Sequence, residues 1–237
     1  MTSSETPLLC LEDLRFGWPN EPDFLIVPQL QLMAGDSVFL EGASGAGKST
    51  LLGLIAGVLK PRSGRIKFFD EDLTQLSTGA RDKFRAERMG VIFQLFNLLP
   101  YLSMIDNVLL PCRFSAARRA RVLENAESLE AEASRLLSRL GLSEKLHGRK
   151  TANLSVGQQQ RVAAARAFIG SPDLIIADEP TSSVDASTRN ALLDLLLEQA
   201  ETSGAALLFV SHDLTLAGEF KQRVPLAELN TATREPA

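Results

Sequence analysis

Residues Gly42, Ala43, Ser44, Gly45, Ala46, Gly47, Lys48, Ser49 and Thr50 form a glycine-rich turn that ends in a lysine and two hydroxyls. The run fits the pattern G-x-x-x-x-G-K-[ST], and its setting fits too. Ser37-Val-Phe-Leu40 ahead of it reads as a strand ending near Glu41, and Leu51-Leu-Gly-Leu-Ile-Ala behind it reads as a buried helix. Strand, loop and helix in that order make the pattern a phosphate cradle rather than an ordinary turn. The glycines let successive N–H groups face an anion, and the following helix directs its positive end at the same place. Lys48 adds a point charge for the β- and γ-phosphates, and Ser49 offers a hydroxyl to Mg²⁺. A chain built around this run binds a nucleoside triphosphate on an α/β scaffold.

The chain has 237 residues, 45% of them hydrophobic, enough to bury the core of one large domain or of a domain plus a lobe. The net charge of -4 points away from nucleic acid as a partner. Arg118, Arg119 and Arg121 lie in a helix that soon turns acidic, which predicts a solvated face. Cys10 and Cys112 lack metal-ligand spacing and read as free thiols. The start, Met1 to Pro7, has no apolar signal core, and no stretch approaches the ~18 to 20 apolar residues a membrane span needs. A membrane role therefore requires a partner chain.

Up to about residue 35 the composition predicts short strands broken by turns at Trp18-Pro-Asn-Glu-Pro22 and at Pro28. Pro61-Arg-Ser-Gly64 reads as a turn, Arg65 to Phe69 as a strand, and Gly90 to Phe93 as a short strand leading to Gln94. From about Leu95 to Arg149 the pattern becomes helical, with Leu129, Leu136, Leu137 and Leu140 at helical spacings and Gly141 as a stop. Thereafter a helix opened by Ser155, a strand Leu174 to Ala177, a helix Thr188 to Glu201 and a strand Ala206 to Val210 alternate. That alternation implies a largely parallel sheet covered on both faces.

Four further stations carry chemistry. Asp178 and Glu179 directly follow an apolar strand. On its own this is a surface turn; downstream of a phosphate loop, Asp178 suits Mg²⁺ and Glu179 an attacking water. Ser155 and Gln158 make a capping-box pattern, and Gly157 between them permits close backbone approach, giving a second anion site. His212, after a strand and between Ser211 and Asp213, is placed to reach a γ-phosphate and its water. Gln94, at a strand end, offers Mg²⁺ a carbonyl; His147 receives no role.

Taken in order, these stations resemble the ATP-binding subunits of ABC transporters over nearly the whole chain, from about Leu9 to Asp213. Gln94 resembles the Q-loop glutamine. Leu154-Ser155-Val156-Gly157-Gln158 resembles the L-S-G-G-Q signature, with Val156 where a glycine is usual. Leu174 to Glu179 resembles Walker B with its catalytic glutamate, Ser182 to Asp185 the D-loop, and His212 the switch histidine. Phe16-Gly-Trp-Pro resembles F-x-Y-P, which favours Trp18 over Phe16 as the aromatic stacked on adenine, Phe16 being the alternative. Phe93 to Pro100 and Asn107 to Pro111 bring the chain nearest to the lipoprotein-releasing, macrolide-exporting and cell-division ATPases.

The resemblance implies a P-loop NTPase core with a mainly parallel sheet, an N-terminal antiparallel β subdomain and an α-helical insert. Residues 1–94 and 150–237 would form the ATP-binding core and residues 95–149 the insert. It implies ATP and Mg²⁺ as ligands, with Lys48, Glu179 and His212 catalytic and Ser49, Gln94 and Asp178 on the metal. Trp18, the loop Gly42 to Thr50, Gln94, Asp185, and Ser155, Gly157 and Gln158 would contact nucleotide, the last three, from the signature, across a homodimer or heterodimer. It implies an integral membrane permease partner at the cytoplasmic face of the inner (plasma) membrane and a transported lipid, lipoprotein or small molecule. The alternative is an ATPase that moves nothing and gates a membrane-anchored partner. Relatives acting on nucleic acid or ribosomes usually carry tandem cassettes or long coiled coils, unlike this single acidic cassette.

Overall fold

The computed structural model describes residues 6–182 and 186–232. In chain order the elements are β1 (Leu9–Phe16), β2 (Leu25–Leu32), β3 (Ser37–Glu41), α1 (Lys48–Ile55), β4 (Ser63–Phe68), β5 (Glu71–Asp72), α2 (Thr78–Arg88) and β6 (Met89–Ile92). There follow α3 (Met104–Phe114), α4 (Ala116–Asn125), α5 (Leu129–Arg139), α6 (Val156–Phe168), β7 (Leu174–Asp178), α7 (Ala186–Ser203), β8 (Ala206–Ser211), β9 (Gln222–Pro225) and α8 (Leu226–Leu229). The chain forms two compact units, residues 1–85 with 208–237, and residues 86–207.

The first unit holds an antiparallel sheet in the order β2-β1-β4-β5, with Leu9 opposite both Leu32 and Phe68. Alternating burial along β1 and β2 puts one face of this sheet in the core. β3, fully apolar between Val38 and Leu40, pairs in parallel with β9. Phe39, Phe209 and Phe220 form one aromatic cluster, with ring centroids 5.2 to 6.2 Å apart. Pro28 makes no turn: it lies inside β2, between the paired residues Val27 and Gln29. β2 is an edge strand, and its neighbour β1 bulges at Asp13, where φ is 46° and the register to β4 shifts. A missing N–H is tolerated at such a place. β4 likewise starts earlier than the composition predicts, at Ser63, because Gly64 closes on the bulge. A Cβ there would lie 2.4 Å from the Asp13 carbonyl oxygen.

The second unit packs α3, α5 and α6 around Leu136, Leu137, Leu140, Val162 and Ala163, beside the parallel pair β6–β7. Within the stretch predicted as helical from about Leu95 to Arg149, α4 and α5 are separate helices, each opened by a serine. Ser115 and Ser128 accept from the Arg118 and Ala131 amides. The expectation that Arg118, Arg119 and Arg121 form a solvated face is wrong for two of the three. Arg118 is 1% exposed and donates to the carbonyls of Met89, Ala167 and Ile169; Arg121 donates to those of Glu87 and Gly170. Burial and the neighbouring Arg121 charge lower the Arg118 guanidinium to about 10, so it remains a cation at neutral pH. These two side chains satisfy the last carbonyls of α6 and lock α4 against it.

The candidate nucleotide-binding motifs

In the first unit β3 delivers Glu41 to the loop, and α1 begins at Lys48. Gly45 and Gly47 have φ of 74° and 105°, conformations that disfavour any side chain. No side chain caps α1 and no acidic residue occupies its first turn, so its positive end faces the loop. The Lys48 ammonium folds back to donate to Gly42 O at 2.6 Å and Ala43 O at 3.2 Å. A Cβ on Gly42 would stand 3.2 Å from the lysine stem, so glycine there leaves the lysine its path.

Trp18 sits in the turn between β1 and β2, which closes through Phe24 N to Phe16 O at 2.8 Å. Phe24 reaches the phosphate loop: a Cβ on Gly47 would be 3.0 Å from its ring. Trp18 is 43% exposed, whereas Phe16 is 6% exposed and meets the Trp18 ring edge-on at 5.1 Å. Of the two candidate aromatics, Trp18 is the more exposed. His212 follows β8 and is exposed, while Ser211 is buried and its hydroxyl accepts from Asp213 N.

In the second unit β6 and β7 run parallel with Ile92 opposite Ala177. Gln94, Asp178 and Glu179 therefore emerge at the same carboxyl end of neighbouring strands, the edge at which open α/β sheets bind ligands. Glu179 has φ 47°. Its neighbour Pro180 is held from α6, where Gln160 Nε2 donates to Pro180 O at 2.9 Å. The loop after Gln94 contains a left-handed pair, Phe96 and Asn97, with φ 58° and 48°. Arg166 of α6 donates to both of their carbonyls, and the buried Asn107 ties the loop's far end through Leu99. At the other end of α6, Ser155 and Gln158 form a full capping box. Val156 follows at 46% exposure, at the place a glycine was expected. Asp185 lies outside the described residues. Sequence reasoning missed Arg166 and Gln160, since each acts on a distant backbone carbonyl that no motif marks.

Ser49, Gln94 and Asp178 offer a hydroxyl, an amide carbonyl and a carboxylate. Ser49 belongs to the first unit and Gln94 and Asp178 to the second, and each is by itself an oxygen donor of the kind a hard cation takes.

A family model described as ABC transporter matches residues 27–182. The chain is 40% identical over 198 residues to the lipoprotein-releasing system ATP-binding protein LolD of Hydrogenovibrio crunogenus, covering 84% of this chain and 83% of that protein. It is 36% identical over 228 residues to LolD of Pseudomonas fluorescens, covering 95% and 97%. An uncharacterized ABC transporter ATP-binding protein of Escherichia coli, YbbA, is 40% identical over 198 residues. Among solved structures, the dimeric post-hydrolysis state of the ATP-binding cassette MJ0796, bound to ADP and Pi, superposes with a TM-score of 0.78 at 31% identity, covering 92% of this chain and 93% of that one.

Proposed function

This chain belongs to the ABC transporter family as an ATP-binding, ATP-hydrolysing subunit, and from that premise we propose that it powers a membrane permease that extracts lipoprotein from a bilayer. The observation that carries this reading is the likeness to the lipoprotein-releasing ATPases across 95% of the chain. No helix among the described residues is long and apolar enough to cross a membrane. Attachment to the cytoplasmic face of the inner membrane therefore runs through the permease. Residues 1–94 and 150–237 serve as the ATP-binding core and 95–149 as the helical insert that meets it.

In this reading Lys48 and the N-terminal amides of α1 bind the β- and γ-phosphates, and Trp18 stacks on adenine. Ser49, Gln94 and Asp178 would hold Mg²⁺, which when bound neutralises phosphate charge. Glu179 orients the attacking water and takes its proton, and His212 contacts the γ-phosphate side of that water. Ser155, Gly157, Gln158 and Asp185 serve the nucleotide of a second cassette, so two ATP molecules are held between two copies or between this chain and a sibling. Support for such a pair comes from the dimeric form of MJ0796. Hydrolysis and phosphate release remove the charge that draws the second helix N-terminus, and the pair loosens.

Co-expression with a permease that forms a complex with this chain, followed by reconstitution in vesicles carrying a lipidated protein, tests the proposal. ATP-dependent release of the lipoprotein is expected. ATP hydrolysis with no release of it, in a complex that otherwise assembles, would overturn the extraction reading in favour of a gating ATPase.

A further inference from the structure

The turn that carries Trp18 is organised by one side chain from outside it. Arg62 stands at the start of β4, with its amide fixed to Arg15 O at 2.8 Å. Its guanidinium spans the turn: Nη2 donates to the carbonyls of Trp18 and Glu21, and Nη1 donates to Asp23 Oδ1 at 3.0 Å. The planar fork suits this task, because it reaches both sides of the turn at once, which a lysine cannot do. The rest of the turn is arranged around it. Glu21 N closes on Trp18 O at 3.0 Å, and Asn20 takes φ 63°. Gly17 has no room for a side chain: a Cβ would lie 2.4 Å from Pro22 O and 2.7 Å from the Arg62 guanidinium. Pro19 and Pro22 stiffen the backbone that remains.

An exposed ion pair between Arg62 and Asp23 alone would matter little. Two backbone acceptors make the difference, since they fix the peptide planes on either side of Pro19 and Asn20. The indole carried by this backbone stands at 82° to the Phe16 ring, with centroids 5.1 Å apart. The same turn closes at Phe24, whose ring meets Gly47, so its geometry also sets the distance between the base platform and the phosphate loop.

We propose that Arg62 is a positioning residue for the nucleotide base: it touches no part of ATP, and it holds Trp18 in the orientation that stacks on adenine. The inference rests on the reading that Trp18 is the stacking aromatic. Trp18 is the only tryptophan of the chain, so its emission reports its own environment.

The test measures binding of ATP and of inorganic tripolyphosphate, each with Mg²⁺, by calorimetry on the full chain and on R62A, R62K, W18A and the double variant. R62A is expected to shift the Trp18 emission and to weaken ATP by roughly tenfold, within the range that one base–aromatic stack supplies. Tripolyphosphate affinity should be unchanged, and KM for ATP should rise while kcat at saturation holds. R62K should recover only part of the loss. W18A should lose about the same affinity as R62A, and the double variant no more than W18A, because both act through one contact. R62A binding ATP at native strength while W18A is weakened would overturn the positioning role alone. Native ATP affinity in W18A would overturn the stacking reading and the proposal with it. An equal loss of tripolyphosphate in R62A would also overturn it, by showing general damage to the fold.

Discussion

Glu179 occupies a left-handed backbone conformation, φ 47°, which costs a residue with a Cβ free energy that the surroundings must supply. The conformation interrupts the strand alternation straight after Asp178, so two adjacent carboxylates can serve different tasks, one on a metal and one on water. Gln160 steadies the next carbonyl, at Pro180. E179Q keeps the size and most hydrogen bonds of the side chain while removing the base. Nucleotide affinity should persist, and turnover should fall by roughly 10² to 10⁴-fold, the contribution of a positioned acid–base group. A coupled phosphate-release assay reads this directly, and unchanged turnover would assign the proton to another group. Lys48 makes a different prediction. Its ammonium already sits among loop carbonyls, at Gly42 and Ala43, pre-positioned where phosphate oxygens would replace them. K48A should weaken ATP by about 10- to 100-fold, one charge-assisted hydrogen bond's share, in a binding titration. Equal affinity would mean that the helix N-terminus alone holds the phosphates.

Helix α6 shows what the sequence discloses and what it hides. Its start was legible, because Ser155 and Gln158 form a local capping box whose partners lie three residues apart. Its far end was not. The groups that satisfy it, Arg118 and Arg121, come from a different helix about fifty residues earlier and bind backbone carbonyls, which carry no sequence label. Charge pattern alone suggested water for both. The same limit hid Arg166, which holds the left-handed pair Phe96 and Asn97 beyond Gln94. It also hid α2, whose inward face is only half-buried and rests on one aromatic, Phe84 against Phe68, among polar residues. Strands β3, β7 and β8 were plain, since an unbroken apolar run between turns marks a strand covered on both faces. The motifs of the site were plain for a related reason: phosphate loop, signature and Walker B are each contiguous. R118A should therefore destabilise the fold rather than the chemistry. It removes donors from three buried carbonyls, at a cost of roughly 1 to 3 kcal/mol for each group left unsatisfied. A lowered thermal midpoint with nucleotide affinity retained below it is the expected result; an unchanged midpoint would show that water replaces the guanidinium at no cost.

At the scale of the whole molecule, the puzzle is that the proposal assigns one chain two helix starts as anion sites. In the proposed reading the amides of α1 meet phosphate beside Lys48; those of α6 are satisfied in part by their own capping box. A second function for the α6 start makes sense if it meets the nucleotide of another cassette, as the proposed pair requires. The proposal commits to an order of events: triphosphate draws two cassettes together, and cleavage releases them. E179Q separates these steps, because it blocks cleavage and so leaves the γ-phosphate in place. Sedimentation of that variant should show dimer with Mg-ATP and monomer with Mg-ADP, and the dimer should weaken as salt rises, since screening shortens the reach of the phosphate charge. Val156 then becomes measurable. It is 46% exposed in the first turn of α6, one residue before Gly157. In the E179Q background, V156G should tighten the ATP-bound dimer by allowing closer approach, although it weakens the helix slightly. If V156G leaves the dimer dissociation constant unchanged, the signature helix approaches its ligand along a path that Val156 does not obstruct. If E179Q stays monomeric at every ATP concentration, the two-cassette arrangement itself is refuted for this chain alone, and a sibling subunit must supply the mate.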